Sequence, residues 1–133
     1  MHDPPYRDPR LSTVDRLLEG PEPDEAGWYD GVRRYLEDAY LAGENPRAQS
    51  GFGGDAAYWE RARRPMTGAI ERDGTVLDVG CANGLLMEDI AAWAAEDGYR
   101  IEPYGLDFSS AIADLARRRL PYWKDRIYTG NVI

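Results

Sequence analysis

The sequence predicts an α/β fold in which a small parallel sheet follows a helical N-terminal extension. Short apolar or β-branched runs at 75–79, 102–107 and 126–129 are typical of buried strands, and helical patterns separate them. This alternation over residues 71–133 is typical of a parallel, Rossmann-like sheet with a bound cofactor. Residues 1–70 show helical spacing of apolar side chains instead, so we expect a helical extension or cap there.

The extension itself predicts several helices and one irregular segment. Helical spacing recurs over 11–18, over 28–41 and after Asp55, which can cap the last helix. Pro65 falls inside that last pattern, so it predicts a kink or the start of a second helix. Residues 1–10 are rich in proline and show no apolar period, which predicts an irregular segment.

Composition excludes several classes of function. The net charge is −8, and an acidic chain lacks the phosphate neutralisation that provides most nucleic-acid affinity. The charge therefore disfavours nucleic acid as a partner, and a small-molecule substrate is expected. No apolar run approaches the roughly 18 residues of a spanning helix, and the N-terminus lacks a signal-peptide pattern, so no membrane partner is expected. The single cysteine, Cys81, fits a reducing cytoplasm. No metal site is predicted.

The strongest motif is the run VLDVGCANG at 76–84, between the first strand and the next helix. Nucleotide sites occur at this position of an α/β unit. Gly80 can turn sharply because it has no Cβ, and Ala82 and Gly84 keep the turn narrow enough for a ligand to approach the backbone. Asp107 ends the next strand, where its carboxylate can accept hydrogen bonds from both hydroxyls of a ribose.

The same loop discriminates between two classes of cofactor. A dinucleotide fingerprint reads G-x-G-x-x-G, with the pyrophosphate on the helix N-terminus. Here Ala82 replaces the second glycine and Leu85 the third. Asp78 lies two residues before Gly80, where its charge repels a pyrophosphate but suits the sulfonium and ammonium of S-adenosylmethionine. The loop therefore favours S-adenosylmethionine over NAD.

Residues 75–84 resemble the first motif of class I S-adenosylmethionine-dependent methyltransferases, with Ala82 in place of the family's middle glycine. The run GLDFS at 105–109 is similar to their second motif, and GNV at 130–132 is similar to their adenine-contacting segment. The resemblance implies S-adenosylmethionine as cofactor and methyl transfer to an unidentified substrate. It implies that Asp78 supports the turn, Asp107 binds the ribose and Asn131 faces the adenine amine. The cofactor-binding residues that it implies are Asp78, Gly80, Cys81, Ala82, Asn83, Gly84, Asp107, Phe108 and Asn131.

The resemblance identifies no catalytic residue, and two other functions stay open. One is a nucleoside-binding module without catalysis, and the other, less favoured, is an NAD-dependent oxidoreductase with a degenerate glycine loop. The family's later strands have no counterpart here, so we expect the first three strands of its fold, truncated and inactive alone. The first strand would then be an edge strand through which the chain can self-associate.

The function of the arginines and aromatic residues of the extension has two interpretations. The cluster Arg61, Arg63 and Arg64 lies on one predicted helix. It can be a solvated helix face, or it can direct one arginine at the carboxylate of the cofactor. The neighbouring Tyr58 and Trp59 can pack within the extension or form part of a lid over the site. The sequence alone does not separate these interpretations.

Overall fold

The computed structural model describes residues 8–132. Most of the predicted irregular N-terminal segment, residues 1–7, therefore lies outside the described residues. The chain divides into two compact units, the first ending at Asp38 and the second beginning at Ala39. This division falls inside a helix, whereas the change from helices to strands occurs after residue 70.

The first unit contains α1 (Pro9–Asp15) and most of α2 (Glu25–Leu41). The Asp8 side chain caps α1 by accepting a hydrogen bond from the Arg10 amide at 2.9 Å. The prediction of irregular structure through residue 10 is therefore wrong at its end, because Asp followed by Pro is a start signal for a helix.

The second unit contains a three-stranded parallel sheet in the order β1-β2-β3. Its strands are β1 (Gly74–Val79), β2 (Ile101–Asp107) and β3 (Ile127–Thr129). Helix α4 (Leu85–Glu96) connects β1 to β2, and α5 (Ser110–Arg119) connects β2 to β3. This arrangement is an α/β fold, Rossmann-like in character, and it confirms the predicted fold class.

Helix α3 (Ala56–Arg63) precedes the sheet and packs beside α4. Asp55 caps it as predicted, accepting a hydrogen bond from the Tyr58 amide at 2.8 Å. A 3-10 helix (Arg64–Ala69) follows with Pro65 in its first turn, so the predicted second helical start is confirmed. The indole of Trp59 donates to the carboxylate of Asp89 in α4 at 2.7 Å, which fixes α3 against the sheet unit.

A glycine in β2 allows α4 and the loop before it to pack directly on the sheet. A Cβ at Gly105 would lie 2.6 Å from Met87 Sδ and 2.7 Å from Cys81 Sγ. Asp107 lies two residues further along β2, and Asp78 pairs with Gly105 in the parallel register. Since side chains alternate across a strand, both aspartates lie on this same helix-covered face.

The opposite face of β1 is open in the described residues. Leu77 is 56% exposed and Val79 is 53% exposed. Within residues 8–132, β1 pairs only with β2, so its other edge carries unpaired backbone groups. Self-association through this edge stays a prediction. In the same part of the chain, no helix is both long and apolar enough to cross a membrane.

Candidate functional site

The loops that follow the three strands meet at one edge of the sheet, because parallel strands end on the same side. The Gly80 amide, after β1, donates to the Leu106 carbonyl of β2 at 2.7 Å. The Gly130 amide, after β3, donates to the Asp107 carbonyl at 2.9 Å. The three motifs that the sequence identified thus form one contiguous region of the molecule.

Asp107 joins the loop after β1 to the loop after β2. Its side chain is buried, with 6% of the residue exposed. One carboxylate oxygen accepts from the Ala82 amide at 2.9 Å and the other accepts from the Ser109 amide at 3.0 Å. Burial raises the pKa of Asp107, and these two amides oppose that shift. Each oxygen keeps a further lone pair with which it can accept a ligand hydroxyl.

The glycine loop contains three residues in the left-handed region, with different surroundings. Gly80 has a φ of 78°, and a Cβ there would meet nothing within 4 Å, so space is open above the turn. Gly84 also has a φ of 78°, but a Cβ there would lie 2.5 Å from Leu120 Cδ1. Gly80 therefore leaves room for a ligand, whereas Gly84 leaves room for the protein's own core.

Ala82 is the only non-glycine residue with positive φ in residues 8–132, with a value of 48°. This conformation costs an L-residue roughly 1–2 kcal/mol. The hydrogen bond from its amide to Asp107 holds it there. The alanine is thus accommodated at this position of the turn, and the residue itself is 8% exposed.

Asn83 is fully buried, and its polar groups are occupied by the protein. Its side-chain amide donates to the Pro46 carbonyl at 2.8 Å, and its side-chain oxygen accepts from the Leu85 amide at 3.2 Å. Its own carbonyl accepts from Arg119 at 2.8 Å. These contacts begin α4 and hold the segment before α3 and the end of α5 against the loop, so they give Asn83 a structural function.

The remaining predicted residues differ in their access to the site. Cys81 is buried over Gly105, and burial, with the charges of the two aspartates, raises its pKa to about 12. Its thiol is therefore protonated at neutral pH and has a packing function. Phe108 is half-buried directly after Asp107, and Asn131 is exposed after β3. Both lie where the chain leaves the carboxyl edge of the sheet.

The electrostatics of the site favour a cation. Asp78 is half-buried, and burial raises its pKa to about 6, with a further increase from Asp107 and an opposing effect from Arg63. Two carboxylates thus lie close together beneath a turn that is open at Gly80. A positively charged ligand relieves the repulsion between them, whereas an anionic ligand increases it.

The N-terminus of α4 is a poor site for a pyrophosphate. The Asn83 side chain already accepts the Leu85 amide, one of the free N–H groups of the first turn. Glu88 adds a negative charge to the same turn and pairs with Arg119 at 2.9 Å. Anions are stabilised at helix N-termini only where such donors and the positive dipole end are available.

Gly105 has a packing function at the site that the sequence analysis does not predict. It lies inside the second motif, and its lack of a Cβ allows the Cys81 and Met87 side chains to pack directly against β2. The signal that could have identified it is a glycine in the interior of a strand, which often marks a close approach.

Comparison with models of known protein families finds no family that matches this chain, and a search of curated proteins finds no significant match. The functional argument therefore depends on the geometry and charge of the site.

We expect Asp78→Asn to raise the free energy of unfolding at pH 7.5 by about 1 kcal/mol. The pKa of Asp78 in the folded protein, about 6, lies above the ordinary value of 3.8 for an aspartate, so between pH 3.8 and about 6 the folded state holds a proton that the unfolded state has lost. Wild-type stability therefore falls as pH rises from about 4 through about 6. Urea unfolding at several pH values measures this difference, which should vanish near pH 4.

The exposed Asp125→Asn is the matched control, since it removes the same charge away from the site. We expect it to change stability by less than about 0.5 kcal/mol at either pH. If Asp78→Asn is no more stable than wild type at pH 7.5, the ionised carboxylate of Asp78 does not destabilise the ligand-free fold, and the prediction is wrong.

Proposed function

We propose that this chain binds S-adenosylmethionine at the carboxyl edge of its sheet and acts as the cofactor-binding part of a methyltransferase. The observation that supports this most is the pair of acids, half-buried Asp78 and buried Asp107, beneath the open turn at Gly80. A nucleoside with a cationic side chain satisfies both features. Asp107 offers acceptors for ribose hydroxyls, and Asp78 offers a carboxylate for a cationic group.

The remaining residues fit this ligand in position and chemistry. Phe108 follows the ribose-binding carboxylate and Asn131 follows β3, so both can flank an adenine ring at the same edge. When bound, the sulfonium supplies a methyl group that is already activated for attack. The chain's own groups then contribute mainly by orientation and exclusion of water, which are large terms in transfer reactions.

We infer that the methyl acceptor is a small molecule and that the protein acts in the cytoplasm. The net charge of −8 disfavours a polyanionic substrate. The single cysteine is buried and packs as an apolar residue. Both observations support the inference.

Isothermal titration with S-adenosylhomocysteine, S-adenosylmethionine and NAD tests the proposed cofactor. We expect both adenosyl ligands to bind at least tenfold more tightly than NAD, because the latter adds an anionic pyrophosphate to an acidic site. Tighter binding of NAD would refute the proposal. Methyl transfer from labelled S-adenosylmethionine to small metabolites then separates an enzyme from a nucleoside-binding module, since the module binds the cofactor without turnover.

A further inference from the structure

The free edge of β1 presents its backbone groups in a regular pattern. The Gly74 amide donates to the Arg100 carbonyl at 3.1 Å, on the side of β2. The Gly80 amide donates to the Leu106 carbonyl at 2.7 Å, on the same side. Alternate residues of a strand direct their N–H and C=O groups to opposite sides. Three residues of β1 therefore direct these groups away from β2, to an edge on which no other strand pairs within residues 8–132: Thr75, Leu77 and Val79.

This edge lacks the features that usually prevent strand pairing. β1 contains no proline and no lysine, which are common means of blocking an exposed edge. Leu77 and Val79 are 56% and 53% exposed. Beside the start of the strand lies a cavity of about 770 Å³, lined in part by Ile70, Thr75 and Val76. The backbone of an added strand therefore has room along the edge.

A second copy of β1, running antiparallel, supplies the partners that this edge lacks. If Leu77 lies opposite the partner's Leu77, then Thr75 lies opposite the partner's Val79. Each outward-facing residue then exchanges both backbone hydrogen bonds with another outward-facing residue. Any other two-fold register leaves Thr75 or Val79 opposite a residue outside the partner strand. The pattern of free backbone groups thus selects one register.

We propose that the chain forms a two-fold symmetric dimer in which β1 pairs antiparallel with β1 of a second copy, with Leu77 at the axis. The two three-stranded sheets become one sheet of six strands. A two-fold axis perpendicular to a sheet preserves its faces, so the helices of both copies cover the same face. Mixed sheets of this kind are common among large sheets. The dimer does not require the proposed cofactor, so its test is independent of ligand binding.

Sedimentation velocity over a concentration series tests the dimer, and the series extends to high micromolar concentrations because a single pair of strands is a small interface. We expect wild type to dimerise and Leu77→Lys to raise the dissociation constant by at least about tenfold, since two lysines would lie opposite each other. The control is Tyr128→Lys. Tyr128 is 51% exposed on the same face but lies on β3, away from the edge of β1, so this variant should dimerise like wild type. A monomeric wild type, or a dimer that Leu77→Lys does not weaken, would overturn the proposal.

Disulfide trapping tests the register, and it does so even if Leu77→Lys does not fold. Opposite residues that exchange both hydrogen bonds have Cα atoms about 5.5 Å apart, within the range that a disulfide spans. Leu77→Cys should therefore form a covalent dimer under mild oxidation, whereas Thr75→Cys, opposite the partner's Val79, should not. The native Cys81 is buried, so wild type gives the background. No covalent dimer of Leu77→Cys, or equally efficient cross-linking of Thr75→Cys, would overturn the proposed pairing.

Discussion

Asp107→Ala is expected to weaken S-adenosylhomocysteine by roughly tenfold to a hundredfold and to lower the free energy of unfolding by about 2 kcal/mol. The affinity falls because the ribose loses its acceptor. The stability falls because the amides of Ala82 and Ser109 lose the carboxylate that joins the two loops, partly offset by removal of a buried charge. Calorimetric titration and urea unfolding measure the two effects separately.

Asp97→Ala is the matched control for this variant. Asp97 is exposed at the end of α4, so its removal changes net charge without touching the site. We expect unchanged affinity and a stability change within about 0.5 kcal/mol. A folded Asp107→Ala protein with unchanged affinity would limit the function of this acid to joining the two loops.

The second large effect is expected from Asn83→Ala, which should lower the free energy of unfolding by about 2–3 kcal/mol. The variant removes the buried hydrogen bonds to Pro46 and Leu85 and leaves a cavity beneath the glycine loop. Ligand affinity should fall as a consequence, because the segment before α3 is no longer held against the loop. Urea unfolding and calorimetric titration measure both.

Two further variants calibrate that result. Asn83→Asp keeps an acceptor for the Leu85 amide but places a buried carboxylate oxygen against the Pro46 carbonyl, so it should destabilise the fold at least as much as Asn83→Ala at neutral pH. Asn45→Ala removes one exposed hydrogen bond, to the Ala48 amide, and should cost less than about 1 kcal/mol. If Asn83→Ala is no less stable than Asn45→Ala, the structural function assigned to Asn83 is wrong.

The strands and their order were predictable because local signals agree with the tertiary arrangement. Short β-branched runs, a glycine turn and a capping Ser109 each indicate the same strand–helix alternation, and the parallel register then brings the motifs to one edge. The start of α1 at Pro9 differs from the prediction because richness in proline and the lack of an apolar period indicate irregular structure. At the first turn of a helix the missing N–H of proline costs nothing.

The candidate site was predictable as a set of positions but not as a set of functions. Gly80 and Gly84 look equivalent in the motif, yet only Gly80 faces open space, since Leu120 from the end of α5 fills the other position. Asn83 looks accessible in a loop, yet Pro46 occupies its side chain. Arg63 and Arg64 look equivalent in the sequence, yet Arg64 pairs with Glu60 whereas the buried Nε of Arg63 has no hydrogen-bond partner among the described residues. These distinctions depend on contacts between residues far apart in sequence.

The crystal structure of this chain with S-adenosylhomocysteine tests the central claim most directly. We predict that the ribose hydroxyls lie within hydrogen-bond distance of the Asp107 carboxylate and that the ligand passes over Gly80. A ligand bound away from Asp107, or no ligand at this edge at saturating concentration, would contradict the proposed cofactor site.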